Sequence, residues 1–354
     1  NYLLNNLELL EQLDNPVPDI SLENLTKILE DQLSSCDGNE EKEIDRLRQF
    51  KHTITFLLGS AEMEGLVSYE HARIGMTVLA EIIIRAAFEL SQKSLASTYG
   101  EVKDAEGKHC NFAILGLGKL GGEEMTYLSD LDLIFIHSGE GTTTGPSIAG
   151  AQEYWIKIIQ RLISYLSTIT RTGYAYKLDT RLRPSGNAGV LVSSLDTYLN
   201  YHESSEIWEH QALIKARVIG GSGSLKWFHK VKDVLHRAVY EWNPPRDLKA
   251  RINHLRKRKE NELSQESEYL RNIKEGRGGL LDVEYLTQAL QLKNGRLCTQ
   301  LQNPKTMDAL RELCRNSIIK KEELEVLQKN YIFLLKYDSY HLPNQKLIQL
   351  HKVE

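Results

Sequence analysis

Cysteine is scarce: there are four in 354 residues (Cys36, Cys110, Cys298 and Cys314), and none forms a C-x-x-C pair. That excludes a disulfide scaffold and reads as a reduced, intracellular compartment. Long apolar runs are absent as well. The longest, Gly75 to Leu90, is broken by Glu81 and Arg85, so no membrane span is expected. The chain opens on Asn1 rather than Met, with acidic residues soon after and no basic leader. The expectation is a fragment without a signal peptide. Basic excess is missing too. Lys and Arg total 44 against 48 Asp and Glu, a net charge of −4, which disfavours a bulk DNA or RNA binder. No repeat or low-complexity tract occurs. What is present is ordinary globular usage, 41% hydrophobic and 26% charged, enough to bury a core in two or three domains.

The pattern along the chain is helical, then mixed, then helical. Leu22, Leu25, Ile28, Leu29 and Leu33 fall at helical spacing behind Asp19 and Ser21, either of which can cap. Leu47, Phe50, Ile54, Leu57 and Leu58 repeat it, and a long Ala-rich helix over 68–96 ends near Gly100. Short apolar runs then predict strands at 111–116, 131–136, 174–179 and 190–193, with a loop at 138–147 and a helix over 148–171. Beyond about Asp196 the chain is expected to be helical throughout. The expected fold is α+β and mostly helical. A small mixed sheet at 99–220 is flanked by helices at 1–98 and 221–354.

Gly116-Leu-Gly118-Lys-Leu-Gly121 matches G-x-G-x-x-G after a strand, which suggests a dinucleotide turn. Spacing argues against it, because the next strand begins near Leu131 and a parallel crossover needs a dozen or more residues, usually a full helix. No P-loop sequence occurs. The segment remains a candidate phosphate-cradling turn through Gly118, Lys119, Gly121 and Gly122.

Ser129-Asp130-Leu131-Asp132 is the central observation. Alternate strand residues share a face, so the two aspartates are expected about 7 Å apart on one side. Apolar neighbours leave them as the polar break in a buried strand. Two such carboxylates call for a hard cation such as Mg²⁺. Asp179 supplies a third acid on the next predicted strand, with Arg181 and Arg183 two and four residues beyond it. A glycine turn, D-x-D and a lone acid on a neighbouring strand form the pattern of polymerase-β-type nucleotidyltransferases. Their chemistry uses two metal ions, which the likeness would have Asp130, Asp132 and Asp179 hold here. Arginine forks match phosphate oxygens, so Arg181 and Arg183 are candidate clamps, with pairing to surface acids as the bland alternative. Lys215 and Arg217, read as lying on a helix opened by Trp208, and Asp282 and Glu284 near a predicted helix start, are weaker candidates. His210 reads as structural, and the basic helix 246–259 as a solvated face.

The resemblance extends beyond this pattern. Gly116–Gly122, Ser129–Phe135, Arg181-Leu-Arg-Pro-Ser-Gly186, Trp208–Val218 and Glu275–Tyr285 are similar to the bacterial glutamine synthetase adenylyltransferase/adenylyl-removing enzymes. The likeness keeps its order over roughly residues 45 to 340. It implies ATP as substrate, two Mg²⁺ ions and AMP transfer to a tyrosine hydroxyl of glutamine synthetase. It also implies the PII signal protein and glutamine as regulators, and a bacterial cytoplasmic location, with no nucleic-acid or membrane partner. Enzymes of this family carry two related halves, one removing AMP by phosphorolysis to give ADP, the other adding it from ATP, and the length suits one half. Ser185-Gly186, His210-Gln211-Ala212 and Asp282-Val-Glu284 look like the adenylylating, carboxy-terminal half. The open alternatives are the deadenylylating half, an enzyme of the same fold acting on RNA ends, and a non-catalytic module that binds a nucleotide or effector.

Overall fold

The computed structural model describes residues 19–267, 270–340 and 347–349. The part of the helical expectation that falls on residues 1–18 lies outside them. Contacts divide the chain into two compact units, Asn1–Tyr201 with Arg217–Lys232, and His202–Ala216 with Asp233–Glu354.

Among the described residues, the first unit begins with three helices, α1 (Leu22–Ser34), α2 (Glu40–Met63) and α3 (Tyr69–Tyr99). Each starts on a capping side chain: Ser21 accepts from the Asn24 amide, Asn39 from Lys42 and Ser68 from His71. These caps satisfy amides that the first turn leaves without helical partners. Helix α3 is central to the unit. Met76, Leu79, Ala80, Ile83, Ile84, Ala87 and Phe88 are all buried along it.

Five strands make the main sheet: β2 (Phe112–Gly116), β3 (Leu131–His137), β5 (Leu178–Asp179), β6 (Val192–Ser194) and β7 (Arg217–Ser222). Strand β2 lies between β3 and β7 and is antiparallel to both, while β5 and β6 pair in parallel with successive parts of β3. Between β2 and β3 sits a single helical turn, α4 (Gly118–Gly121). Two short strands, β1 (Val102–Lys103) and β4 (Thr142–Thr143), form a separate ribbon. Helix α5 (Ala151–Ser167) buries Tyr154, Trp155, Ile158, Ile159, Leu162 and Leu166, the stripe that 3.6-residue periodicity requires. The Trp155 and Phe112 rings stack with centroids 4.4 Å apart, and Phe88 stacks on Phe112 at 5.4 Å. Helices α3 and α5 are thereby joined to the sheet through aromatic faces.

Three expectations need correction. The predicted strand over 174–179 shrinks to Leu178–Asp179, because the amides of Ala175 and Tyr176 both donate to the Leu166 carbonyl at the end of α5, leaving that backbone off the ladder. The loop at 138–147 contains β4. The chain is not helical throughout after Asp196. Helices α6 (Leu195–His202) and α7 (Ile207–Leu213) are followed by β7, so Arg217 begins a strand and Lys215 lies in the turn before it. Val218 and Ile219 favour extended backbone, and Gly221 lets β7 approach β2 so closely that a Cβ there would run into the Phe112 carbonyl.

The described residues of the second unit are mostly helical, with β8 (Leu270–Asn272) paired antiparallel with β9 (Leu347–Gln349). After α8 (Leu225–Tyr240) come α9 (Leu248–Leu263), α10 (Leu280–Asn294), α11 (Thr306–Arg315) and α12 (Lys321–Tyr340). Leu280, Val283, Leu292, Leu310, Leu313, Tyr331 and Leu335 supply its buried apolar face. Among the described residues no helix is long and apolar enough to cross a membrane.

Candidate active site

The glycine turn leaves β2, which is buried along its whole length, at Gly116. The Leu117 amide donates to the Asp132 carbonyl at 2.9 Å, tying the start of the turn to β3. Gly118 has φ +52°, and a Cβ built there would overlap the Asp132 carboxylate. Glycine is therefore required twice over, by conformation and by space. Because β2 and β3 are antiparallel neighbours, the turn sits in a direct connection and not in the crossover of a dinucleotide fold.

Asp132 is the one residue of β3 that is not fully buried. It lies in register with Asp179 on the parallel neighbour β5. Adjacent strands are about 4.8 Å apart, and paired positions project to the same side, so the two carboxylates stand together beside Gly118. Asp130 comes immediately before β3 and is exposed. The Leu131 amide donates to the Lys177 carbonyl at 2.9 Å, so the ladder begins at the residue between the two aspartates.

Arg181 faces Asp179. Its Nε lies 3.0 and 2.9 Å from the two carboxylate oxygens, and its own amide donates to Oδ1 at 2.9 Å. These hydrogen bonds hold the Asp179 carboxyl below the usual carboxylate range, against the opposing effect of partial burial. The guanidinium is in turn stabilised by Asp179 first and also by the charge of Asp132. Arg183 points into its own loop. It donates to the carbonyls of Thr180 at 2.8 Å and of Gly189 at 3.3 Å, and to the Thr180 hydroxyl, holding together the segment 180–189. Ser129 Oγ accepts from the Thr126 amide at 2.9 Å and so braces the turn before β3. Within the glycine turn, the Gly121 amide donates to the Leu117 carbonyl, Gly122 to Gly118, and the Lys119 carbonyl accepts from Glu124.

Arg217 meets the turn from behind. Its guanidinium donates to the carbonyls of Gly121 and Leu120, both at 3.2 Å, and pairs with Glu81 of α3 and with Glu123. Glu81 was missed as a site-supporting residue. Its signal was the interruption of the apolar run in α3: a carboxylate in such a helix must find a partner.

In the second unit, the buried Lys215 pairs with the partly exposed Glu284, Nζ 3.7 Å from Oε1, and the Tyr331 hydroxyl donates to the same oxygen at 3.0 Å. Asp282 lies in the first turn of α10. It accepts from the Gly278 amide and pairs at 2.6 Å with Arg256, a basic residue that α9 buries beside Leu248 and Ile252. His210 is buried, stacks on Trp242 at 4.0 Å and donates from Nδ1 to the Ala238 carbonyl. Burial holds its imidazole below the ordinary pKa, as a structural histidine requires.

The donor chemistry beside Gly118 suits a hard divalent cation, since Asp132 and Asp179 offer adjacent carboxylate oxygens. Among the described residues there is no set of three His, Cys, Asp or Glu side chains arranged to hold a metal.

A glycine turn against an aspartate pair, on a small mixed sheet within a mostly helical chain, defines a nucleotidyltransferase-type α+β fold. Comparison with known proteins agrees. A profile of the glutamate-ammonia ligase adenylyltransferase family matches residues 2–230, and one of the GlnD PII-uridylyltransferase family matches residues 246–339. A bifunctional glutamine synthetase adenylyltransferase/adenylyl-removing enzyme of Nitrosococcus oceani is 32% identical over 323 residues, 88% of this chain and 33% of the relative. The enzyme of the same name from Vibrio parahaemolyticus is 36% identical over 294 residues, 80% of this chain and 30% of the relative. The chain belongs to the glutamate-ammonia ligase adenylyltransferase family. It spans about a third of the length of the curated relatives it matches.

Proposed function

We propose that this chain is an adenylylating unit that transfers AMP from ATP to a tyrosine hydroxyl of glutamine synthetase. The observation that carries the reading is the register of Asp132 with Asp179 beside Gly118. In this reading residues 99–220 are the nucleotidyltransferase core and residues 1–98 and 221–354 its helical flanks. A free tyrosine hydroxyl, with a pKa of about 10, is a poor nucleophile at neutral pH. Mg²⁺ held by Asp132 and Asp179, with Asp130 at the start of β3, supplies charge neutralisation and polarisation of oxygen when bound.

The protein's own groups do the positioning. Gly118 brings backbone up to the carboxylates without a side chain in the way. Lys119 and Arg181 line the path of the phosphates, where cationic groups balance negative charge, while the Gly121 and Gly122 amides hold the turn itself in shape. Ser129 and Arg183 keep the two neighbouring loops in shape, and Arg217 fixes the glycine turn to α3. Lys215, Asp282 and Glu284 serve the helical unit through the pairs described above.

Ser185-Gly186, His210-Gln211-Ala212 and Asp282-Val-Glu284 support the adenylylating half. The relatives' names also include adenylyl removal, so the reverse chemistry, phosphate attacking adenylylated tyrosine to give ADP, is the second reading. The nucleotide products separate the two. With unmodified glutamine synthetase, ATP and Mg²⁺, pyrophosphate should accumulate and should vanish in Asp132→Asn. ADP appearing only from adenylylated glutamine synthetase and phosphate would establish the second reading instead.

A further inference from the structure

The Arg181–Asp179 pair is placed where a cation is needed. Asp179 and Asp132 are register neighbours, and two carboxylates so close repel unless positive charge lies between or beside them. In this structure Arg181 supplies such a charge at Asp179: its Nε reaches both Asp179 oxygens and its own amide adds a third hydrogen bond. The Arg181 side chain is nonetheless 72% exposed, while that of Asp179 is 23% exposed. The acid is anchored in the sheet and the base meets it from the solvent side. Arg183, two residues on, differs: its guanidinium is tied to loop carbonyls and to the Thr180 hydroxyl.

We infer that Arg181 is a placeholder cation, neutralising the Asp132–Asp179 pair while no divalent cation is bound and yielding the carboxylates when one arrives. The inference rests on the proposed nucleotidyltransferase reading and adds an order of events to it. Arg181 and the divalent cation compete for Asp179, so the resting enzyme binds the bare cation weakly. Once displaced, the guanidinium is released within reach of a phosphate-bearing ligand on the same rim, and its fork suits phosphate oxygens as well as carboxylate. Cation and nucleotide thus bind better together than apart, because the residue that opposes the first assists the second. No bond is made or broken in this exchange; one ion pair replaces another.

The test uses Mn²⁺ alone as probe, titrated into the full chain without nucleotide and followed by the electron paramagnetic resonance signal of the free ion. Exposed ion pairs are weak, so Arg181→Gln should bind Mn²⁺ only about two- to fivefold more tightly than wild type. Arg181→Lys, which keeps the charge, should stay close to wild type. ATP binding measured with saturating Mn²⁺ should move the other way and weaken in Arg181→Gln. Asp132→Asn identifies the site, because binding must be lost in it. If wild type binds Mn²⁺ in an Asp132-dependent way and Arg181→Gln binds no more tightly, the placeholder role is overturned and the metal site stands. If neither protein shows Asp132-dependent binding, the metal-site reading itself fails and takes the inference with it.

Discussion

Replacing Gly118 by alanine should damage the site in a way that a second glycine can calibrate. Gly118 sits at φ +52° and Gly65 at φ +74°, both in the left-handed region. An alanine in that region costs about 1–2 kcal/mol for the backbone alone. Around Gly65 a new Cβ meets nothing within 4 Å, so Gly65→Ala should show that cost and nothing else. At Gly118 the new Cβ overlaps the Asp132 carboxylate. The protein then has two responses. If Asp132 stays, overpacking adds about 1–3 kcal/mol to the strain. If Asp132 swings away, stability is spared but the pair with Asp179 is broken, and misplacement by about 1 Å can lower a rate about 100-fold. Urea unfolding and AMP transfer, measured on both variants, separate the cases. Gly65→Ala should lose stability and keep its rate, while Gly118→Ala should lose more stability, most of its rate, or both. A Gly118→Ala protein as stable as Gly65→Ala and fully active would refute the placement of the turn against Asp132.

Two further outcomes concern stability. Trp155→Ala removes a ring stacked on Phe112 and buried between α5 and the sheet, and should cost about 3–5 kcal/mol, read as a lower urea midpoint. Stability should also fall on acidification. Burial, and for His52 the neighbouring Lys51 charge, lowers His52 in α2 and His202 to about 4 from 6.5. The unfolded chain then binds more protons than the folded one between about pH 6.5 and 4, so stability is lost as pH falls through that window. Urea midpoints from pH 7 to pH 4.5 should decline, and His52→Gln should flatten part of the decline. A flat profile in the native chain would contradict the burial of these rings.

Much of the candidate site's geometry was legible because its residues are close in sequence and chemically unusual. Gly118, Asp130 and Asp132 lie within fifteen residues, and the apolar β3 around Asp132 makes the acid conspicuous. Asp179 is readable as a third acid on a neighbouring strand, but its register with Asp132 depends on a two-residue strand whose flanking backbone is diverted to the end of α5, which no local pattern reveals. Strand β7 escaped for a related reason. It holds two glycines and follows a helix almost at once, so its extended state is imposed by pairing with β2. That in turn hid Arg217. Read on a helix, it pointed towards phosphate; on β7, it ties the glycine turn to Glu81, 136 positions away in sequence. The charges that break the apolar run of α3, Glu81 and Arg85, excluded a membrane span in the sequence. In the fold Glu81 pairs with Arg217, and Arg85 donates to the Ile219 carbonyl of β7.

The most direct test of the central claim is the intact mass of unmodified glutamine synthetase after incubation with this chain, ATP and Mg²⁺. The account predicts a gain of one AMP per modified subunit, abolished in an Asp130→Ala, Asp132→Ala double variant. No gain, with AMP lost instead from adenylylated glutamine synthetase in phosphate, would contradict the adenylylating assignment. Silence in both directions would contradict catalysis by this unit.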